Sequence, residues 1–204
     1  MGRLNSRRPA RRRGGPGGRE PPDSIFGYGS LAHDLLADVT VTRLRGYRRR
    51  FGVAADNSQA IPGYKRYRAA DGSFPGIFVA YLDLVEDPDT AVNGVLAPVD
   101  AAPLADLDRR ERNYDRIDVT AAIDTPPPGR VWAYIGSPDG RARLATGLAA
   151  DTAVVQRAYL EHVEAGFRRL GTDEYDHFLA TSDLDGLPLL DLERIDLPPE
   201  GPAP

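Results

Sequence analysis

The sequence has 204 residues, of which 41% are hydrophobic and 27% are charged, a composition typical of a globular protein with one enclosed core. No apolar run approaches the roughly 18 residues of a membrane-spanning helix, so we expect no membrane partner. The chain has no cysteine, which excludes disulfides, thiol nucleophiles and cysteine metal ligands and fits a reducing, cytoplasmic environment.

The first segment of the chain is predicted to be a disordered basic leader, residues 1–22, because it has almost no large apolar side chains with which to form a core. Residues 1–20 contain seven arginines and one glutamate, so the overall charge of −4 leaves −10 on the rest. A basic arm that touches RNA or a membrane is an alternative. The acidic remainder opposes a phosphate backbone, so we expect no specific nucleic-acid partner. Residues 23–196 are predicted to form one domain, followed by a disordered tail at 197–204.

The first predicted strand, Ile25–Tyr28, runs into a turn flanked by Gly27 and Gly29. Glycine lets the backbone turn tightly and approach another group closely. Successive amide N–H groups in such a turn can point the same way and bind an anion or a carboxylate. Most Gly-x-Gly sequences are simple turns, so this motif alone is weak evidence for a binding site.

The order of the remaining elements favours an α+β fold with a mixed or antiparallel sheet. Gly46 predicts a bend or bulge within its strand, and residues 57–71 are predicted to form a mobile surface loop. Helices are predicted over residues 101–113, over residues 152–170, and from the cap residue Thr172 to Leu179. The further segments rich in Val, Ile, Tyr and Phe, which predict strands, are Val39–Phe51, Ile77–Leu84, Val92–Val99, Ile117–Ile123 and Val131–Ile135.

The predicted helix at 101–113 places a carboxylate on its buried face. Leu104 and Leu107 are three residues apart and define the apolar stripe, which continues to Glu111. An unpaired buried carboxylate is costly and tends to acquire a raised pKa. A carboxyl group of this kind suits a general acid or base.

Two other interpretations of these carboxylates stay open. Glu111 could form an ion pair with Arg116, or Asp108 could be the inward-facing group. Asp108 lies nearer the edge of the stripe, where a contact with Arg112 one turn later can satisfy it.

Two motifs taken together resemble the γ-glutamylcyclotransferase family. They are Phe26-Gly27-Tyr28-Gly29-Ser30-Leu31 and Leu107-Asp108-x-x-Glu111-x-x-Tyr114-x-Arg116. The resemblance covers residues 24–182 and implies a small β-barrel flanked by helices, with a pocket at the mouth of the barrel. Other segments that agree in order with the family are Leu44-x-Gly46-Tyr47, Val92-Asn93-Gly94-Val95-Leu96, Val131-x-x-Tyr134, and Tyr159-x-x-x-Val163-x-x-Gly166 followed by Tyr175.

The resemblance also implies an enzyme that releases 5-oxoproline from a small γ-glutamyl amide without a cofactor or a metal. Glu111 would then be the general acid and base, and Tyr159 would line the pocket. Arg112 stands where the family often has glycine; we expect it to point outward and to affect specificity more than chemistry. The loop that would bind the γ-glutamyl group through its backbone amides consists of Tyr28, Gly29, Ser30 and Leu31.

The chemistry needs little from the protein, because the α-amine of a γ-glutamyl amide can reach the γ-carbonyl and close a five-membered lactam. Orientation of the substrate alone can supply several kcal/mol. Ser30 lacks the surroundings of a serine nucleophile. The three histidines of the chain, His33, His162 and His177, have no recognisable metal-ligand spacing.

Some side chains keep two interpretations at this stage. The phenol of Tyr28 could line the pocket or pack beneath the loop, and His33 is more often solvated at such a position than catalytic. Arg48, Arg49 and Arg50 alternate along a strand and are predicted to form a solvated edge.

The alternative function is a ligand-binding module of the same fold without turnover. Within the enzyme hypothesis, the substrate could be a γ-glutamyl amino acid, a γ-glutamylamine or glutathione, and the protein could be a monomer or a homodimer. The sequence does not decide among these.

Overall fold

The computed structural model describes residues 21–34 and 39–199, which form α-helices and strands in an α+β arrangement. Residues 1–20 of the predicted leader and 200–204 of the predicted tail lie outside these ranges. The helices are α1 Ser30–Asp34, α2 Ala101–Arg110, α3 Pro138–Ala149, α4 Arg157–Leu170 and α5 Thr172–Ala180, with a short 3-10 helix at Thr120–Ala122. The strands are β1 Asp23–Gly27, β2 Thr40–Asp56, β3 Lys65–Arg68, β4 Phe78–Val99, β5 Tyr114–Asp118, β6 Val131–Gly136, β7 Ala153–Gln156, β8 Ser182–Asp183, β9 Leu189–Leu190 and β10 Glu193–Asp196.

The frame of the fold is the long antiparallel pair β2 and β4. The two predicted strands at 77–84 and 92–99 are one strand, because the polar residues between them form an irregularity within the pair and not a separate turn. That irregularity lies opposite Gly46, whose φ is +81°. Glycine adopts this backbone conformation at low cost, so the bend predicted at Gly46 is confirmed. Arg48 on β2 contacts the irregular segment of β4, since its Nε donates to Asp87 at 2.8 Å.

The sheet is mixed, which confirms the predicted fold class. Its strand order is β5-β6-β1-β4-β2-β8, with β1 antiparallel to β4 and parallel to β6. The predicted barrel is wrong in one respect, because this path does not close on itself among the described residues. An isolated bridge between Leu44 and Ile123 links β2 to the segment after β5, and the sheet approaches closure there.

Two elements differ from the helical predictions after residue 137. The chain at 153–156 is β7, which pairs in parallel with β4, so the helix predicted from 152 begins only at Arg157. The β-branched pair at Val154 and Val155 favours a strand there. Helix α3 was not predicted, although Ser137 is an N-cap whose hydroxyl accepts from the N–H of Gly140 and proline follows at the first helical position. The predicted helix from Thr172 is confirmed.

The segment predicted as a mobile loop at 57–71 contains strand β3, which pairs with β10. The side-chain amide of Asn57 organises it, since Oδ1 accepts from the N–H of Tyr67 and Nδ2 donates to the carbonyl of Tyr67 at 2.9 Å. Hydrogen bonding continues beyond β10, because the N–H of Gly63 donates to the carbonyl of Pro198 at 2.9 Å. This small sheet forms one wall of the site described below.

Gly94 allows strand β4 to lie close to the end of β1. A Cβ at this position would stand 2.6 Å from the carbonyl oxygen of Gly27 and from the ring of Phe26, both buried. We expect Gly94→Ala to lower the free energy of unfolding by about 1–3 kcal/mol, because β1 must shift to relieve the overlap. Chemical denaturation measures this loss.

Gly76→Ala is the matched control, because no heavy atom of the described residues lies within 4 Å of a Cβ added there. Its stability should change by less than about 0.5 kcal/mol. Equal stabilities for the two variants would contradict the close packing of β4 against the end of β1.

Candidate active site

A narrow cleft lies where the turn after β1 meets the end of α2. The structure brings all six predicted site residues together in its wall, with Leu82, Tyr114 and Tyr134 completing it. The turn itself passes directly into α1, where the N–H of Ala32 donates to the carbonyl of Gly29 at 2.9 Å. The first N–H groups of a helix have no acceptor one turn earlier within the helix, and in α1 the carbonyl of Gly29 serves the N–H of Ala32. The six residues that the cleft unites are Tyr28, Gly29, Ser30, Leu31, Glu111 and Tyr159.

The side chain of Tyr28 packs beneath the loop, which decides between its two interpretations. It is 6% exposed, and its hydroxyl donates to the carbonyl of Tyr134 on β6 at 2.5 Å. Burial raises the pKa of the Tyr28 phenol well above its ordinary value, so the group is neutral at physiological pH. Tyr28 therefore fixes the loop to the sheet from below.

Arg49 fixes the same loop from the other side, and its predicted place on a solvated edge is wrong. The side chain is fully buried, with Nε donating to the carbonyl of Tyr28 at 2.8 Å and an amino group donating to Oδ1 of Asn93 at 2.8 Å. Its guanidinium carbon stands 4.9 Å from the ring centroids of both Phe167 and Phe178. Alternation along the strand put this one arginine inward, where carbonyl groups and aromatic faces hold it.

The charge of Arg49 is balanced without a direct carboxylate partner. Among the described residues no carboxylate oxygen lies within 4 Å of it, and its other amino group donates to the hydroxyls of Thr181 and Ser182 at 3.2 and 3.1 Å. Burial lowers the pKa of the guanidinium to about 9, which leaves it protonated at neutral pH. The carbonyl of Tyr28 thus faces a permanent positive charge.

Glu111 reaches the cleft from a turn and not from a helix face. Helix α2 ends at Arg110, three residues before the predicted end, and Glu111 is its C-cap residue. Its N–H donates to the carbonyl of Leu107 at 2.9 Å, and its own carbonyl accepts from the N–H of Tyr114 at 3.0 Å. These bonds fix the backbone on both sides. The side chain is 18% exposed, and Oε1 accepts from Nε of Arg110 at 3.1 Å.

The two alternative interpretations of the nearby carboxylates are also resolved. Arg116 pairs with Asp108 at 3.1 Å, not with Glu111, and Asp108 also accepts from the hydroxyl of Tyr134 at 2.8 Å. Asp108 is therefore occupied outside the cleft. Arg112 is exposed as predicted, but its guanidinium carbon stands 5.7 Å from the centroid of the Tyr64 ring and lines the adjoining cavity.

Two tyrosine hydroxyls form hydrogen bonds with the backbone of Leu82 in the wall of the cleft. The N–H of Leu82 donates to the hydroxyl oxygen of Tyr159 at 3.1 Å, and the hydroxyl of Tyr114 donates to its carbonyl at 2.7 Å. Burial raises the pKa of both phenols. The cleft therefore combines neutral phenols with one carboxylate, that of Glu111.

The cleft opens into a wider cavity of about 460 Å³ between the small sheet β3–β10 and helix α4. Ser30, Glu111, Tyr114 and Tyr159 belong to both spaces. The wider cavity also contains Lys65, which was not predicted as a site residue. A signal existed, because Lys65 is the only lysine among 26 lysine and arginine residues in the sequence.

Two histidines lie close together at the rim of this cavity, although their spacing along the chain matches no metal-ligand pattern. The rings of His33 and His162 lie 3.9 Å apart, and Nε2 of His162 is 2.9 Å from Oδ1 of Asp34. Packing of α1 on α4 brings them together, since a Cβ on Gly166 would stand 3.0 Å from Cβ of His33. One imidazole nitrogen of each and the carboxylate lie within 4.8 Å of one another, a donor set that transition metals accept, while Arg110 stands 3.6 Å from the same carboxylate.

Comparison with known proteins agrees with this architecture. The profile of the family described as gamma-glutamyl cyclotransferase, AIG2-like, matches residues 25–150, so the chain belongs to this family. A search of curated proteins found no match. Within the described residues, no helix is both long and apolar enough to cross a membrane.

One solved structure shows the fold, and two others are similar to this chain with lower TM-scores. YkqA from Bacillus subtilis has a TM-score of 0.51 at 16% identity, over 78% of this chain and 53% of YkqA, so the chain spans about half the length of that protein. The human protein loc79017 has a TM-score of 0.48 at 16% identity, over 79% of this chain and 88% of its own. A gamma-glutamyl cyclotransferase has a TM-score of 0.48 at 13% identity, over 81% of this chain and 90% of its own.

The hydrogen bonds of Arg49 predict the effect of replacing it with lysine. Arg49→Lys keeps a positive charge but cannot donate to the carbonyl of Tyr28, to Asn93 and to the hydroxyls after α5 at the same time. We expect a loss of unfolding free energy on the order of 2 kcal/mol, because buried acceptors lose their donors. Thermal and chemical denaturation measure it.

Arg50→Lys provides the control, because Arg50 is the exposed neighbour on the same strand. It should unfold like the parent protein. If Arg49→Lys proved equally stable, the loop would not depend on the fork of donors at this position.

Proposed function

We propose that the protein is a γ-glutamyl cyclotransferase that releases 5-oxoproline from a small γ-glutamyl amide. The observation that carries the proposal is the position of Glu111, which borders both the narrow cleft and the wider cavity. Family membership over residues 25–150 supports the same reaction class. The cleft would hold the γ-glutamyl group and the cavity the leaving amine.

The Tyr28–Leu31 loop would hold the γ-glutamyl group through its backbone amides. Support comes from its rigidity, since Tyr28 donates to β6 below and Arg49 donates to the carbonyl of Tyr28. N–H groups that are fixed before the substrate binds need no reorganisation during the reaction. They can bind the α-carboxylate and stabilise the oxyanion that forms on the γ-carbonyl.

Glu111 would move the proton. The α-ammonium of the substrate must lose a proton before its nitrogen attacks the γ-carbonyl carbon, and the carboxylate accepts it. A new carbon–nitrogen bond closes the lactam, the bond to the leaving nitrogen breaks, and Glu111 returns the proton to that nitrogen. The second proton that the attacking nitrogen loses would pass through the same carboxylate to the leaving amine, which departs as an ammonium ion. A group at the border between the two spaces can serve both nitrogens.

The fixed surroundings suit this role. The backbone of Glu111 is held on both sides by Leu107 and Tyr114, while its side chain is 18% exposed. The neighbouring phenols of Tyr114 and Tyr159 stay neutral and do not repel the carboxylate. Folding the substrate into the lactam geometry is the remaining contribution of the protein.

Replacement of Glu111 tests the proposal. We expect Glu111→Gln to lower kcat by about 10²–10⁴-fold, because the amide cannot accept and return the proton. Thermal stability should stay the same or rise, since a partly buried charge is removed. Release of 5-oxoproline from a panel of γ-glutamyl dipeptides, measured by mass spectrometry, gives the rate.

Glu164→Gln is the matched control, because Glu164 has a similar exposed fraction of 20% and is also paired with an arginine, Arg168, outside the site. It should retain full turnover. Parent-like turnover by Glu111→Gln, or a larger loss in Asp108→Asn, would remove Glu111 from the mechanism. Binding of the dipeptides by the parent protein without product would favour the ligand-binding module.

A further inference from the structure

Lys65 is a partly buried cation in the wider cavity that the proposed reaction does not use. Its Nζ stands 4.2 Å from the ring centroid of Tyr81 and 5.5 Å from that of Tyr64. In the part of the chain that the structure describes, no carboxylate oxygen lies within 4 Å of it. The aromatic faces support the ammonium but do not neutralise it.

The other charges of the cavity are largely paired with one another. Arg110 contacts Glu111 at 3.1 Å and Asp34 at 3.6 Å. Arg194 contacts Asp196 at 2.7 Å. Each of these arginines therefore has an anion within reach.

Two cations of the cavity remain without an anion among the described residues, and both lie against Tyr64. They are Lys65 and Arg112, whose charged groups stand 5.5 and 5.7 Å from the centre of that ring. Lys65 is partly buried and Arg112 is exposed, so the desolvated ammonium of Lys65 gains most from a counter-ion. This end of the cavity is therefore suited to an anion supplied from outside.

The position of Lys65 and Arg112 indicates which part of a substrate would carry that anion. Lys65 and Arg112 line the wider cavity but not the cleft, while Glu111 borders both. With the γ-glutamyl group in the cleft, they face the leaving group across Glu111. Their anion therefore belongs to the leaving amine and is distinct from the α-carboxylate of the γ-glutamyl group.

We propose that Lys65, assisted by Arg112, binds a carboxylate on the leaving amine, so that the substrates are γ-glutamyl amino acids or peptides and not simple γ-glutamylamines. This inference rests on the proposed cyclotransferase function. An ammonium–carboxylate contact in a partly desolvated cavity is among the stronger polar interactions in proteins.

Lysine is a suitable residue to bind this carboxylate. All other basic residues of the chain are arginines, whose broad planar group suits two-point contacts, whereas the lysine ammonium is compact and can sit between two aromatic rings. Burial, followed by the neighbouring charge of Arg194, lowers the pKa of Lys65 to about 8. At neutral pH most of it is charged and able to bind an anion.

Two substrates that differ only in the carboxylate test the proposal. They are γ-glutamylalanine and γ-glutamylethylamine, compared by kcat/KM for 5-oxoproline release. The parent protein should prefer γ-glutamylalanine by about 10- to 100-fold, the range expected for a charged hydrogen bond. In Lys65→Met the ratio should collapse toward unity through loss of activity on γ-glutamylalanine, while thermal stability stays the same or rises.

Arg68→Met is the control for the loss of one positive charge on the same strand. Arg68 contacts Glu193 at 2.7 Å and does not line the cavity of Lys65. This variant should keep the parent ratio. Lys65→Arg should restore part of the preference, because a cation returns to the same wall.

The pH dependence of the ratio provides a second readout. Both substrates share the α-amine, and Glu111 serves both, so those titrations cancel. The groups that face Lys65 are Tyr64, Tyr81, Glu111, Arg110, Arg194 and Asp196. As the pH rises through about 8, the ammonium loses its proton, so the parent ratio should fall, whereas the Lys65→Met ratio should stay flat.

The outcomes separate the two proposals. If the parent protein cleaves both substrates equally well, or Lys65→Met keeps the preference, the carboxylate-binding role is wrong and the cyclotransferase function stands. If the parent protein releases 5-oxoproline from neither substrate nor from the dipeptide panel, the cyclotransferase function itself is wrong and the role of Lys65 is overturned with it.

Discussion

The buried guanidinium of Arg49 is the interaction on which the site depends. It joins the loop after β1, strand β4 and the segment after α5, and its own backbone N–H donates to Thr181 at 3.0 Å. These segments are distant in sequence and meet only in the folded chain. Because an arginine inside a protein requires acceptors on several sides, its burial fixes the position of each segment that supplies one. The loop is thereby rigid before any ligand arrives.

The narrow cleft and the wider cavity differ in the chemical groups that line them. The cleft is lined by the loop after β1, by neutral phenols and by the carboxylate of Glu111, and in the proposed function it would hold the γ-glutamyl group, whose shape is constant. The wider cavity is lined by charged side chains on β3 and β10, a small sheet held by Asn57 and attached to the main sheet at one side. Under the proposed function, recognition of a fixed chemical group and selection among variable ones would fall to separate parts of the fold.

The sequence predicted the α+β class and six of the residues that line the cleft, because both follow from local pattern and from two motifs of the family. The sequence-based predictions were wrong or incomplete where the structure depends on contacts between residues that are far apart in the sequence. Arg49 has the same local pattern as Arg48 and Arg50, and its burial depends on acceptors and aromatic rings that distant segments supply. The chain at 153–156 reads as the start of a helix until β4 is available for pairing. The two histidines have no meaningful spacing along the chain, since α1 and α4 bring them together.

The presence of a single lysine in the sequence has a consequence for covalent modification of the protein. Reagents and enzymes that act on lysine side chains can modify one position in this chain, and that position lies inside the cavity. Acetylation of Lys65 would remove its charge without altering Glu111 or the loop. In the proposed function, a single covalent event would then change which substrates the cavity accepts and leave the proposed proton-transfer group, Glu111, intact. Comparison of the extent of modification of this one residue with and without a bound molecule would also show whether the cavity is occupied.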